Sequence, residues 1–328
     1  EYTLRVIEIL FEHALKFDTW AGAPYARIAD AGNWIAPPGL TTASGSSLAD
    51  GISVDPDGPG PQPHETFLAG FAGLFRWTGT RFDSVGGSAV LGSDVFAVFD
   101  VDGPGRQPPA IFNGFPGVRR WDGTRWTSYG LDADTIAVAD FDGPGPLPEN
   151  LVAASYSGLY LMEPVTLRWK RLASAGFRDP SSLLMFDEDG PGPLPASLVQ
   201  CGSSIQSGLS GIALRFDGQG WRSLGTSVSS GSSSAGVTYD FDGPLGPRPT
   251  ELICVGAVTL AGDRSMRGAA SFDPALSPPG WRPLFPGNGI RTSGKRRSAA
   301  IDPDGPGPLP RQIYVPTGSN GVGTAWGN

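Results

Sequence analysis

The chain has 328 residues, of which 48 are Gly and 32 are Pro, and 17% of its residues are charged. Frequent turn formers and few charges are typical of an all-β protein with many short strands. No run of about 18 apolar residues occurs, so we expect no membrane span. The net charge is −8, and Lys and Arg cluster only at residues 295–297. This distribution argues against nucleic acid as a partner.

The first 39 residues are the least regular part of the chain. They contain two strand-like segments, "YTLRVIEILF" and "ALKFDTW", and a hairpin-like stretch at Tyr25–Gly39. We expect one irregular repeat here. Because the chain begins at Glu1 without Met or an apolar leader, we also expect a processed chain or a fragment.

An acidic turn follows a hydrophobic strand six times along the rest of the chain. The copies include "DVDGPGRQP" and "DFDGPGPLP", and they recur at intervals of 45, 40, 47, 53 and 62 residues. A repeat of about 40–50 residues with several strands in each copy is typical of β-propellers. The six copies begin at Asp55, Asp100, Asp140, Asp187, Asp240 and Asp302.

One repeat can be divided into four predicted strands. The first, "TIAVADFD", starts at Thr135 and ends in the acidic turn, and "LVAASY", "LYLME" and "LRWKRLA" follow. The second strand, Leu151–Tyr156, is nearly all apolar, which is expected when both faces of a sheet are covered. The central strands of a propeller blade meet that condition because each blade lies between two others.

An aromatic hairpin closes several repeats. Arg119–Gly130 ("RRWDGTRWTSYG") is echoed at Arg76–Gly86 and Arg215–Gly225, with aromatic residues five positions apart around a Gly. Such a turn suits Gly because Gly accepts a positive φ. We expect the aromatic rings to pack between blades; the alternative is that they stack on sugar rings. The candidates for ligand stacking are Trp77, Trp121, Trp126 and Trp221.

These repeats predict a single β-propeller over residues 1–328. Seven four-stranded blades are expected, with six as the alternative. After the last acidic turn only two more strands fit, so Glu1–Ile7 is expected to supply the missing strand and close the ring. The approximate blade boundaries are 1–39, 40–87, 88–130, 131–175, 176–226, 227–286 and 287–328.

The order of strand, D-x-D-G-x-G turn and aromatic strand resembles the integrin-type FG-GAP propeller repeat. The hairpin also resembles repeats of secreted bacterial propellers of planctomycete type. The resemblance covers nearly the whole chain, and it implies a propeller that is secreted, periplasmic or attached to the cell surface. Its short motifs are specific for architecture rather than for activity.

The acidic turns depart from the FG-GAP pattern, in which several oxygens of the loop hold Ca²⁺. The fifth position is Pro in all six copies, as in Pro59 and Pro144. Calcium takes six to eight oxygen ligands, so we expect these carboxylates mainly to organise the turn and the prolines to fix the loop. Turn-organising roles are expected for Asp57, Asp102, Asp142, Asp189, Asp242 and Asp304. Calcium is the alternative, with Asp140, Asp142, Asp187 and Asp189 as candidate ligands.

The two cysteines, Cys201 and Cys254, each lie in an apolar run that ends at a Gly. Cys201 lies one residue before Gly202, and Cys254 lies two residues before Gly256. Because side chains alternate between the two faces of a strand, this difference of one position predicts that the cysteines point to opposite sheet faces. We therefore expect two buried thiols rather than a disulfide.

A catalytic constellation is hard to assemble from this sequence. His13 and His64 are the only histidines, and no G-x-S-x-G or Walker motif occurs. We expect no enzyme activity and no cofactor. The favoured hypothesis is a protein-interaction or structural module that binds a protein partner or joins a larger assembly. The alternative is a lectin-like propeller that binds glycans between its blades.

Overall fold

The computed structural model describes twenty stretches of the chain. Within them the protein is all-β, and no described residue is helical. The described stretches are residues 26–27, 34–35, 48–54, 65–70, 73–78, 81–85, 95–103, 108–115, 117–141, 149–164, 166–189, 195–205, 211–225, 228–240, 249–260, 268–276, 279–283, 299–301, 312–316 and 322–325.

Consecutive strands form five four-stranded antiparallel sheets, preceded by a two-stranded pair and followed by a three-stranded sheet. The pair is β1 (Ala26–Arg27) and β2 (Trp34–Ile35). Sheet A contains β3 (Leu48–Val54), β4 (Glu65–Gly70), β5 (Gly73–Trp77) and β6 (Phe82–Val85). Sheet B contains β7 (Phe96–Phe99), β8 (Ala110–Asn113), β9 (Arg119–Trp121) and β10 (Trp126–Ser128). Sheet C contains β11 (Thr135–Ala139), β12 (Asn150–Ser155), β13 (Gly158–Met162) and β14 (Trp169–Ala173).

The remaining strands follow the same order. Sheet D contains β15 (Phe177–Phe186), β16 (Ser197–Ile205), β17 (Ala213–Phe216) and β18 (Trp221–Ser223). Sheet E contains β19 (Val228–Tyr239), β20 (Glu251–Leu260), β21 (Gly268–Asp273) and β22 (Gly280–Pro283). Sheet F contains β23 (Ala299–Ile301), β24 (Gln312–Pro316) and β25 (Val322–Ala325).

Each sheet is a meander in which every strand pairs with its neighbour in sequence. The four-strand repeat predicted from Thr135 is confirmed by β11–β14. The first strands of sheets A to F contact one another in chain order, which is the arrangement of the innermost strands of propeller blades. Residues 1–7 lie outside the described part of the chain, so the shared closing strand and the count of seven blades stay predictions.

The core consists of layers between adjacent sheets. Four apolar clusters join sheet A to B, B to C, C to D, and D to E. In β12, Leu151 packs against sheet B and Val152 packs against sheet D, and both side chains are fully buried. The apolar run of the second strand therefore has the predicted cause, since both of its faces are covered.

Candidate functional site

In each four-stranded sheet, the outer hairpin formed by the third and fourth strands carries a pair of aromatic or apolar residues that face each other. Register places Trp77 opposite Phe82, Trp121 opposite Trp126, and Phe216 opposite Trp221. Their ring centroids lie 4.8, 5.3 and 5.6 Å apart. Such cross-strand aromatic pairs stabilise the hairpin beyond the area that they bury.

Two of these hairpins attach to the preceding sheet through an indole. Trp221 of sheet D donates its Nε1–H to the Ser174 carbonyl at 2.9 Å, and Trp281 of sheet E donates to the Leu224 carbonyl at 2.6 Å. Each acceptor directly follows the last strand of the preceding sheet. Both indoles are buried. An indole hydrogen bond from the fourth strand thus links each of these two sheets to the preceding sheet.

The candidates for ligand stacking therefore do not share one environment. Trp221 is buried between sheets C and D, whereas Trp77, Trp121 and Trp126 are half-buried. Trp121 and Trp126 pack against the cluster between sheets A and B. Sequence analysis did not single out Trp281, although its "GWRPL" repeats the "GWRSL" around Trp221.

An aspartate organises the turn of the outer hairpin. Asp122 Oδ1 accepts hydrogen bonds from the backbone N–H groups of Arg125 and Thr124, both at 2.9 Å, and from the Thr124 hydroxyl. These bonds, led by that of Arg125, hold the pKa of Asp122 well below its usual value. Gly123 has a φ of 93°, a conformation that favours Gly. The turn thus depends on an ionised carboxylate and a glycine.

The equivalent aspartate of sheet D has the same role. Asp217 Oδ1 accepts hydrogen bonds from the N–H groups of Gln219 and Gly220 at 3.0 and 2.9 Å. The Arg222 side chain, which bonds the other carboxylate oxygen, and these two N–H groups lower the pKa of Asp217. This capping role was not assigned from the sequence, where only the glycine of the turn was discussed.

In two acidic turns, the first aspartate accepts a hydrogen bond from the backbone N–H of the third-position aspartate, to which the sequence analysis had assigned the turn-organising role. Asp100 Oδ1 accepts from the N–H of Asp102 at 3.3 Å, and Asp187 Oδ1 accepts from the N–H of Asp189 at 3.2 Å. Burial, followed by a hydrogen bond with the Asp102 side chain, raises the pKa of Asp100. These contacts form Asx-type turns at the exit of the first strand.

The candidate calcium ligands are only partly described. Asp140 directly follows β11, Asp187 and Asp189 follow β15, and Asp142 lies outside the described residues. Within the described stretches, no group of three or more His, Cys, Asp or Glu side chains converges. The neighbouring Glu188 forms an ion pair with Arg215 of β17. Calcium binding stays a prediction.

Cys201 and Cys254 contact each other, with their Sγ atoms 3.2 Å apart. Both side chains are thiols and are fully buried. Alternation did place them on opposite faces, but they belong to adjacent sheets, and the two faces in question pack together in the cluster between sheets D and E. The inference that opposite sheet faces keep the two cysteines apart is therefore wrong, because it holds only for two residues of the same sheet.

Two exposed aromatic side chains lie at the turn between the second and third strands of neighbouring sheets. Phe115, in the β8–β9 turn, is 48% exposed, and Tyr156, in the β12–β13 turn, is 71% exposed. The connecting segment between the two sheets bonds both turns. Ala133 donates its N–H to the Gly114 carbonyl, and the Tyr156 N–H donates to Asp134 Oδ2. We call Phe115 and Tyr156, together with Asp132 and Asp134 of the connecting segment, the aromatic turn pair.

The other predicted features have simple outcomes. His13 and His64 lie outside the described residues. In the stretches that are described, no helix has the length and apolar character needed to cross a membrane.

No protein-family model and no curated protein matches the sequence. Among solved structures, the fold is similar to a chain from the crystal structure of BBS1N in complex with ARL6DN, soaked with lead. The alignment covers 92% of this chain and 88% of that chain, with 11% identity and a TM-score of 0.44.

Proposed function

We propose that this chain is a non-catalytic propeller that acts as a protein-interaction or structural module of an exported or cell-surface protein. The observation that supports a binding role best is the aromatic turn pair. Exposed aromatic side chains are enriched at protein interfaces, whereas most large apolar side chains in the described part of the chain are buried. The non-catalytic part of the proposal rests on the sequence, which offers no nucleophile–base motif.

The position of the two rings suits a binding surface. Residues 131–134 join sheets B and C and are hydrogen-bonded to both turns, so the turns lie at the same end of adjacent sheets. Asp132 is exposed and Asp134 is half-buried. The guanidinium of Arg171 also reaches this end, where it donates to the carbonyls of Ser157 and Ala173. Turns rather than strands provide the surface, as is common for recognition sites on rigid scaffolds.

Charge indicates the chemistry of the partner. Asp132 and Asp134 lie in the segment that connects the two sheets and bonds both turns, and the chain as a whole carries a net charge of −8. A protein segment with Lys or Arg beside apolar residues would pair with these carboxylates and stack on the rings. We therefore propose a protein partner that presents a basic and apolar segment to the aromatic turn pair.

The double variant Phe115→Ser/Tyr156→Ser tests this proposal. The tagged full chain is used to isolate a partner from its native source, and the purified partner is then titrated against each variant. We expect the double variant to weaken binding at least tenfold and the wild-type affinity to fall with added salt. The control is Leu276→Ser, which removes a large side chain that is 41% exposed at the end of sheet E. Equal binding by the wild type and the double variant would contradict the proposal.

Carbohydrate binding between the blades is the second candidate, because Trp77, Trp121 and Trp126 keep part of their rings exposed in consecutive sheets. A glycan array with the wild type and Trp121→Ala separates the two functions. Binding to a defined glycan that the substitution abolishes, in a variant that remains folded, would favour the lectin-like function. If the Phe115→Ser/Tyr156→Ser variant still bound that glycan, the glycan would replace the protein partner as the proposed main ligand.

A further inference from the structure

We propose that Cys201 and Cys254 form a disulfide bond that joins sheets D and E. Cys201 lies in β16 and Cys254 lies in β20, each the second strand of its sheet. Their Sγ atoms are 3.2 Å apart, with no water-exposed surface on either side chain. A disulfide has an S–S distance of about 2.05 Å, so the sulfurs need to approach by only about 1.2 Å.

The backbone around the pair leaves room for this approach. Gly236 is the cross-strand neighbour of Cys254 in β19. A Cβ atom at position 236 would lie 2.5 Å from the Sγ of Cys201 and 3.3 Å from its Cβ. Any other residue at position 236 would therefore clash with Cys201 and force its side chain to shift. The close packing of Cys201 from the neighbouring sheet explains why position 236 is a glycine.

A hydrogen bond between the two sheets fixes their distance beside the cysteines. Ser182 is the cross-strand neighbour of Cys201, and its Oγ accepts from the N–H of Gly236 at 2.8 Å. The register of β15 against β16 shifts just before Ser182, and that of β19 against β20 shifts just before Gly236. Such bulges redirect a strand locally. The two first strands thus approach each other where the thiols meet.

The reaction is thiol–disulfide exchange with a low-molecular-weight disulfide such as oxidised glutathione. The thiolate of one cysteine attacks this disulfide, which forms a mixed disulfide and releases one glutathione thiol. The second cysteine thiolate then displaces the remaining glutathione as a second thiol. The protein loses two hydrogens, and glutathione disulfide gains them. Because both side chains are fully buried in the folded protein, we expect the exchange to occur before sheets D and E pack, or when they open.

The test compares full-length protein refolded in a glutathione redox buffer with protein kept in a reductant. After denaturation and alkylation, we expect the first sample to retain no free thiol and to show an intact mass about 2 Da lower than the reduced chain. We also expect its midpoint of thermal unfolding to rise by about 5–10 °C, because the bond closes a loop of about 53 residues. Native protein should resist reduction until denaturant is added.

Substitution of Gly236 provides a second measurement. Gly236→Ala should lower the yield of the disulfide at least fivefold. Gly220→Ala, which places its new methyl group in open space, should leave the yield unchanged. Two fully alkylated cysteines in the wild type after oxidative refolding would overturn the proposal, as would a 2 Da loss in the Cys201→Ala variant. The wild-type measurement decides the matter even if a variant does not fold.

Discussion

The aromatic hairpins of sheets D and E bury their indoles, whereas the hairpin of sheet B leaves two indoles half-exposed, although the hairpins of sheets B and D share the same sequence pattern. In sheets D and E, a glycine in the segment that precedes the sheet makes room for the indole. A Cβ on Gly225 would lie 2.9 Å from the Trp281 ring, so the absence of a side chain there creates the space for this indole. A Cβ on Gly176 would lie 3.1 Å from the Trp221 ring.

Sheet C provides the contrast. Trp169 occupies the same place in the fourth strand, but Gly130 in the preceding segment has no atom within 4 Å of its would-be Cβ. The Nε1 atoms of Trp169 and Trp126 are buried without a hydrogen-bond partner among the described residues. The hairpin motif therefore does not determine whether the indole of its tryptophan is buried and hydrogen-bonded. Burial and hydrogen bonding of the indole depend on whether the adjacent connecting segment presents a backbone carbonyl and leaves room for the ring.

The largest expected effect separates buried from half-buried indoles. Trp281→Ala should lower the free energy of unfolding by about 3–5 kcal/mol, because it leaves a cavity between sheets D and E. Trp121→Ala should cost about 2 kcal/mol, since part of its ring is already exposed. Urea denaturation of both variants measures the difference. Equal losses of unfolding free energy in the two variants would contradict this prediction, because they would show that the buried and the half-buried indole contribute equally to stability.

A smaller effect isolates the indole hydrogen bond. Trp281→Phe and Trp126→Phe remove similar volumes, but only the first removes a donor that is bonded to a carbonyl. Trp281→Phe should therefore be the more destabilising variant by about 1 kcal/mol. Denaturant midpoints measured under identical conditions test this value. If Trp126→Phe were the more damaging change, its indole nitrogen would have a partner that the structure does not show.

The hairpin turns predict a dependence on acid. The pKa values of Asp122 and Asp217 are lower in the folded chain than in the unfolded chain, so their stabilisation is present above about pH 4 and is lost as the pH falls below it. The melting temperature of the wild type should thus fall more steeply between pH 5 and pH 3 than that of Asp122→Asn/Asp217→Asn. Parallel curves would contradict the prediction.

Asp100 provides the control for this experiment. Its pKa is raised, so its contribution to stability is present at low pH and is lost as the pH rises through its folded value. Asp100→Asn should therefore change the pH dependence in the opposite direction to the hairpin variants.

The smallest expected effect concerns the acidic turns. If their carboxylates mainly accept backbone hydrogen bonds, a calcium chelator should move the melting temperature by less than about 2 °C. A ligand bound only to the folded state stabilises it by mass action, so a decrease of more than about 10 °C would require bound calcium. Differential scanning fluorimetry with EDTA, and then with excess Ca²⁺, checks the outcome.

Much of the fold could be predicted because its signals are local. The strands of sheet C, the acidic turns at strand ends and the Asp-Gly hairpins follow from alternation and turn chemistry within about 45 residues. The candidate site was less predictable. The stacking candidates were chosen by motif, and the sequence did not distinguish Trp221, which is buried, from Trp121, which is half-exposed.

The sequence by itself determined a series of four-stranded units with covered central strands, since residue periodicity and turn residues act over short distances. Only the tertiary structure decided which side chains meet across the sheets. Cys201 and Cys254 are 53 residues apart and belong to different sheets. The turns of Phe115 and Tyr156 lie at the same end of adjacent sheets because residues 131–134 bond both turns. Contacts of this kind depend on how one sheet stacks on the next, and no pattern within a single repeat encodes that stacking.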